Sequence, residues 1–210
     1  MPISVTLLSM DIAQKYDHAA PLWGQKVTQL GYTAAYDGFL SGQVAETGAV
    51  LDVGTGTGAF ARSWIRQGGS PAMTLLDPSP AMLAMARRSL ATHGLTPWTI
   101  CAPMEHLPQD ARYDAILGAH VLEHFDPAQD GFQRLAHHLA PGGRLYLVIS
   151  KPHWCNWLIW LRYRHRWYAP GRIEVMARQA GLIPMRTHRF HAGPPSRTSL
   201  GYIFTKPERS

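Results

Sequence analysis

Val50-Leu51-Asp52-Val53 is a short apolar run holding one acid, and it ends in Gly54-Thr55-Gly56-Thr57-Gly58. That junction constrains the chain more than any other stretch. Glycine takes up positive φ without steric cost and lets a ligand approach the main chain. A helix-like segment follows from Ala59, and a second apolar run, Met73-Thr74-Leu75-Leu76, delivers Asp77. Strand, glycine turn, helix, strand and acid is the order in which a doubly wound α/β domain grips a nucleoside-bearing ligand at the carboxyl ends of its strands. Asp77 stands where an acid accepts hydrogen bonds from the two hydroxyls of a ribose.

The glycine spacing also fits nicotinamide and flavin sites, and loosely fits ordinary tight turns. Asp52, two residues before the first glycine, narrows the choice. Beside a pyrophosphate a buried carboxylate is repulsive; beside the ammonium of an amino-acid ligand it is useful. Arg112 to Phe125 reads as a strand opening into a site, and Leu139 to Val148 as a helix end, a Pro-Gly-Gly turn and a further buried strand. On these residues the chain resembles the class I S-adenosylmethionine-dependent methyltransferases, especially the small-molecule branch that includes the ubiquinone and menaquinone methylases. Asp52 to Gly58 match the family's first motif and Asp77 its second. Met104 to Pro108 match the loop before the fourth strand, Val121 to His124 the "V-L-E-H" segment after it, and Pro141 to Arg144 the Pro-Gly-Gly turn. The resemblance covers Val50 to Val148, in the family's order. A nicotinamide dehydrogenase is disfavoured by Asp52 and by the Pro-Gly-Gly turn.

The resemblance implies S-adenosylmethionine as cofactor and a single methyltransferase domain over residues 1–210. Residues 1–45 would form an N-terminal helical lid, and 151–170 a substrate-cover insert rich in aromatic and basic residues. The fold expected is a Rossmann-like doubly wound sheet of seven strands with an antiparallel C-terminal edge hairpin. Reading along the chain, strands are expected at 50–53, 73–76, 98–101, 113–117, 144–149, 183–190 and 199–205. Helices are expected within 10–40, broken at Pro21 and Gly31, and at 59–67, 80–93, 127–139 and 170–180. Gly193-Pro194-Pro195 reads as the join between the last two strands.

A length of 210 residues suffices for one ordinary core, and 46% hydrophobic with 16% charged residues is a globular composition. Two cysteines, Cys101 and Cys155, make neither a metal knuckle nor a disulfide framework, which fits a reducing cytoplasm. No secretory leader is read, and no apolar run reaches the ~18 residues of a membrane span. The net charge of +6 is unevenly spread, with −3 over residues 1–150 and +9 over 151–210. A basic block of that kind points to an anionic partner or to a solvated surface.

Carried over residue by residue, the resemblance gives a candidate cofactor site. Gly54, Gly56 and Gly58 let the main chain pass under the ligand, Asp52 neutralises an amino group, and Asp77 binds the ribose. A main-chain N–H of the Met104 loop reads the adenine edge. The family often has an acid at the position of Pro103, so Glu105 either substitutes for it or caps the local turn. Tyr16 and Trp23 resemble the lid, where an aromatic covers the cofactor; for Tyr16, plain packing of a helix on the sheet is an equal alternative. His120 follows the fourth strand and is the candidate catalytic residue, a general base for a nucleophile that must lose a proton. The His120-to-His124 pattern, H-x-x-E-H, also occurs in metalloproteases, but no metal is expected here; Glu123 and His124 read as capping and packing the turn.

Residues 153–168 hold four of the seven tryptophans, with arginines between them. Trp157, Trp160, Leu161 and Arg164 would share one helical face. Three readings stay open: contact with an anionic membrane surface or a lid over a lipophilic substrate, a plain pocket cover, and a single-strand nucleic-acid surface. The last is the least favoured, and no nucleic-acid partner is expected. The expectation is therefore a methyl transfer to an amphiphilic or lipophilic small molecule, quinone- or lipid-like, in the cytoplasm or at the inner face of its membrane. A soluble acceptor, or a cofactor-binding interaction protein without catalysis, are the alternatives.

Overall fold

A computed structural model describes residues 22–45, 47–153 and 167–208. Two helices open the described chain: α1 at 22–29 and α2 at Tyr32–Leu40. Gly31, at φ 81°, separates them, in the left-handed region that glycine enters most readily. Then come β1 (Val50–Val53), α3 (Ala59–Arg66), β2 (Met73–Leu76), α4 (Pro80–Ala91), β3 (Trp98–Ile100) and β4 (Tyr113–Ala119). The order continues with α5 (Ala128–His138), β5 (Leu139–Ser150), α6 (Pro170–Gln179), β6 (Ile183–His188), α7 (Gly193–Thr198) and β7 (Ser199–Thr205).

The seven strands form one sheet in the order β3-β2-β1-β4-β5-β7-β6. The first five pair in parallel, and β7 runs antiparallel to both β5 and β6. The expected α/β doubly wound fold and its antiparallel edge are both present. The strand order reverses between β1 and β4, so the crevice for a ligand lies at their carboxyl ends. Side chains alternate along each strand, which fixes the two cores. Leu51, Val53, Ile116, Leu145 and Leu147 pack on one face with Phe132 and Leu135 of α5 and Ile173 of α6. Val50, Ala115, Leu117, Tyr146 and Val148 pack on the other with Phe39 and Leu40 of α2, Phe60 and Trp64 of α3 and Leu83 and Leu90 of α4. Each such fully buried large side chain contributes about 1.5–3 kcal/mol relative to exposure. Asp52 alternates with Leu51 and Val53, so its carboxylate points to the face covered by α2 and α3.

Local stops follow the residues expected to make them. Gly68, Gly94 and Gly181 take positive φ just after α3, α4 and α6. Ser79 caps α4, its hydroxyl accepting the Met82 N–H at 3.1 Å, with Pro80 in the first turn. Two elements differ from the sequence reading. Strand β5 begins at Leu139, ahead of the Pro-Gly-Gly segment, with a register shift in its pairing to β4. Gly142 N–H donates to the Lys206 carbonyl at 2.9 Å, Lys206 N–H donates to the Gly143 carbonyl at 3.0 Å, and Lys206 Nζ donates to the Ala136 and Leu139 carbonyls. The C-terminal segment thus holds the glycines in an irregular strand instead of leaving a free turn. Gly193-Pro194-Pro195, read as a join, opens the short helix α7.

Candidate functional site

The carboxyl ends of β1 and β2 bring together Asp52, the glycine turn and Asp77. Gly54, Gly56 and Gly58 have φ of 60°, 52° and 79°. Side chains strain there, and their neighbours differ. A Cβ on Gly54 would come 2.9 Å from Val121 Cγ2, on the turn after β4. A Cβ on Gly58 would meet the Ala86 backbone at 3.1 Å, so the constraint visible there is the close packing of α3 on α4. At Gly56 the nearest atom is Trp23 Nε1, 4.0 Å away. Trp23 on α1 therefore faces the middle of the glycine turn, and Gly24 lies against Thr57.

Asp77 is buried and organises the turn. Its Oδ2 accepts the Gly56 N–H at 2.9 Å and its Oδ1 accepts the Ser79 N–H at 2.9 Å. The main chain thus fixes the carboxylate beside the glycine turn. Asp52 is 1% exposed and accepts the Thr55 hydroxyl at 2.6 Å. Burial pushes its carboxyl up to about 7; the Thr55 hydrogen bond opposes this and the charge of Asp77 adds to it. Among the described residues no Lys, Arg or His pairs with Asp52. A buried acid with no countercharge among the described residues, next to a glycine turn faced by an indole, fits a ligand carrying an ammonium group. The donor set suits S-adenosylmethionine in that respect, and suits a pyrophosphate poorly.

Of the other expected contacts, Met104 opens a 3-10 turn (Met104–His106) with its side chain in the core. Glu105 beside it is exposed. The Asp77 N–H donates to the Ile100 carbonyl at 3.3 Å, tying the ends of β2 and β3 together next to this turn. Tyr16 lies outside the described residues, as do residues 154–166, which carry most of the aromatic-basic insert.

A second cluster sits at the ends of β4 and β5. His120 has φ 59°, unusual for a residue with a Cβ, and its N–H donates to the Val148 carbonyl at 2.8 Å. Its Nδ1 lies 3.0 Å from Glu123 Oε1 and 3.1 Å from Ser150 Oγ. Glu123 is 2% exposed and also accepts the Ser150 N–H at 2.7 Å. The expected role of Glu123, packing the turn, is therefore only part of what it does. Tyr32 meets the His120 ring edge-on at 5.5 Å and places its hydroxyl 3.0 Å from Thr198 Oγ1 and 3.2 Å from Ser199 Oγ. Tyr36 is buried beside Tyr32; burial raises its hydroxyl well above the usual range, and the charges of Tyr32, Asp52 and Glu123 add to that. Tyr36 thus lies within electrostatic reach of both clusters. Ser150, Tyr32 and Tyr36 were not singled out by the sequence, and Glu123 was read only as a turn residue. Convergence of strand ends at a switch point was the available signal for Ser150, the last residue of β5. Among the described residues no group of three or more His, Cys, Asp or Glu side chains is placed to hold a metal ion.

Residues 50–143 match the family model for the methyltransferase domain. A ubiquinone biosynthesis O-methyltransferase from Xylella fastidiosa is 34% identical over 112 residues, 52% of this chain and 45% of that protein. A biotin biosynthesis bifunctional protein from Bordetella avium is 31% identical over 144 residues, 65% of this chain and 30% of that protein. The chain thus spans less than half the length of these two curated relatives. In fold it is similar to a 1,6-didemethyltoxoflavin-N1-methyltransferase from Burkholderia thailandensis, with TM-score 0.72, 17% identity, and coverage of 99% of this chain and 93% of that one. The ordered motifs, the seven-stranded sheet and the match over residues 50–143 agree: this chain resembles the class I S-adenosylmethionine-dependent methyltransferases and, among them, the quinone methylases.

Proposed function

We propose that the protein transfers a methyl group from S-adenosylmethionine to an amphiphilic or lipophilic small molecule, quinone- or lipid-like. The observation that carries the cofactor half of this reading is Asp52, a buried acid without a cationic partner among the described residues, at the mouth of a glycine turn. Asp52 would hold the amino group, and Gly54 and Gly56 would admit the ligand to the main chain. Asp77 would receive the ribose hydroxyls, and the Met104 turn, with Glu105 beside it, would face the adenine. Gly58 holds the turn against α4, and Trp23 would close over it. Tyr16 keeps its proposed place in the lid. When bound, the sulfonium supplies an activated methyl group, so the protein's task is alignment and exclusion of water. His120 would act at the acceptor, taking a proton where the nucleophile carries one.

The amphiphilic acceptor rests on the sequence of residues 153–168 and on the resemblance to quinone methylases. No helix among the described residues is long and apolar enough to cross a membrane, so the contact proposed is peripheral, through tryptophans and arginines at an anionic surface of the cytoplasmic face. Two tests separate the parts of this reading. Asp77→Ala should weaken S-adenosylmethionine binding by about 1–3 kcal/mol in a calorimetric titration; unchanged affinity removes Asp77 from the site. Replacing Trp157 and Trp160 together by Ala should abolish co-sedimentation with phosphatidylglycerol vesicles. Wild-type protein that never sediments with them points to a soluble acceptor.

A further inference from the structure

His120 Nε2 is buried and has no hydrogen-bond partner among the described residues. The other nitrogen of the same ring lies within hydrogen-bond distance of Glu123 Oε1 and Ser150 Oγ. A buried polar atom without a partner is costly, and a charged donor without one costs more than a bare lone pair. An imidazolium would place a charged N–H at Nε2 facing no acceptor. A neutral ring protonated at Nε2 would leave that donor unmet and set the Nδ1 lone pair against a carboxylate oxygen. The arrangement without either fault is a neutral ring with its proton on Nδ1, donated to Glu123, and its lone pair on Nε2. Glu123 is itself held in place by the Ser150 N–H. The left-handed backbone at His120 adds a second mark, since strained residues persist where surrounding structure over-determines them.

We propose that Glu123 is a positioning residue that fixes His120 in the Nδ1–H tautomer, leaving Nε2 as the proton acceptor of the site. The proposal rests on the methyltransferase reading above. The acceptor it serves carries a proton on its nucleophilic atom, a hydroxyl above all. That hydroxyl gives its proton to Nε2 as its oxygen gains the methyl group, and the bond from sulfur to the methyl breaks with its electron pair kept by sulfur. His120 then releases the proton to solvent. Ser150 contributes through its main-chain N–H, which holds the carboxylate, more than through its hydroxyl.

Long-range proton–nitrogen spectra of the 15N-labelled protein at pH 8 report the tautomer directly, with His120 assigned by the signal lost in His120→Asn. The wild type should show a protonated Nδ1 and a bare Nε2. Glu123→Gln, whose carboxamide oxygen stays on the Ser150 N–H and still accepts from Nδ1, should keep the proton on Nδ1, whereas Glu123→Ala, which removes that acceptor, should shift it toward Nε2. Ser150→Ala should leave the tautomer unchanged. Calorimetric titration of the same proteins with S-adenosylhomocysteine should give equal affinities for wild type and Glu123→Gln. A wild-type ring protonated at Nε2, alone or at both nitrogens, overturns the proposal even if Glu123→Gln does not fold. Loss of S-adenosylhomocysteine binding in a folded Glu123→Gln also overturns it, because Glu123 would then belong to the cofactor half. Failure of the wild type to bind S-adenosylhomocysteine overturns the methyltransferase reading, and the proposal with it.

Discussion

The two halves of the crevice are built by different means. At the ends of β1 and β2 the site is made of consecutive residues and main chain: one strand, one glycine turn, and an acid on the next strand that accepts two backbone N–H groups. At the ends of β4 and β5 it is made of side chains far apart in sequence, with Ser150 meeting His120 across 30 positions and Tyr32 reaching Thr198 across 166. The first half is defined by what a ligand common to a whole family requires. The second is assembled by tertiary packing, and on the proposed reading it would face the acceptor, the part of the reaction in which family members differ. Substitutions should therefore separate into those that change the frame, those that change cofactor binding, and those confined to the acceptor side.

The largest effect is expected where the glycine turn meets α4. Gly58→Leu combines positive φ with a Cβ at 3.1 Å from the Ala86 backbone. It should lower stability by about 3–5 kcal/mol, seen as a lower midpoint in urea. A stable variant would show that the turn can rearrange and is not the rigid half of the comparison.

Asp52→Asn should split stability from binding. The native carboxyl is held at about 7 against 3.8 for an unperturbed aspartate, chiefly by burial. Its folded value lies above its unfolded one, so its favourable contribution is complete below 3.8 and is lost as pH rises through 7. The neutral isostere should match the wild type near pH 4 and be more stable at pH 8 by on the order of 2–4 kcal/mol in the absence of ligand. It should also bind S-adenosylmethionine more than tenfold more weakly, on the order of the 1.4 kcal/mol or more lost with a charge-assisted hydrogen bond. A variant that is destabilised at pH 8 would mean that Asp52 already has its countercharge.

The smallest effect is expected at Tyr32. Tyr32→Phe removes the hydroxyl at Thr198 and Ser199 but keeps the edge-on contact with His120. It should cost about 0.5–1.5 kcal/mol of stability and leave cofactor affinity unchanged. Altered affinity would show that the two halves are energetically coupled.

What the sequence disclosed follows the same division. The strands from β1 to β4 and the stops at Gly68, Gly94 and Gly181 were legible because each depends on local periodicity and turn chemistry; the antiparallel edge was expected from the family resemblance. Asp52 was legible as a candidate because it stands two residues before Gly54, and Asp77 because it closes the next apolar run. The early start of β5 was hidden because Pro-Gly-Gly reads locally as a turn, and only Lys206 and its neighbours, more than sixty positions on, make it part of a strand. Helix α7 was hidden by the prolines that open it. Glu123 read as a turn residue because the His120 ring and the Ser150 N–H, two of the groups it holds, meet only when β4 and β5 lie side by side. Trp23 was one of two lid aromatics named from resemblance, and its indole lies over Gly56.

The central claim is that the first half of the crevice is shaped for a cation-bearing nucleoside and not for a pyrophosphate. Isothermal titration of the wild-type protein with S-adenosylmethionine, repeated with NAD, tests it most directly. Micromolar binding of the sulfonium compound and none of NAD is the result predicted from Asp52. Binding of NAD, or no binding of S-adenosylmethionine to the folded protein, would contradict it.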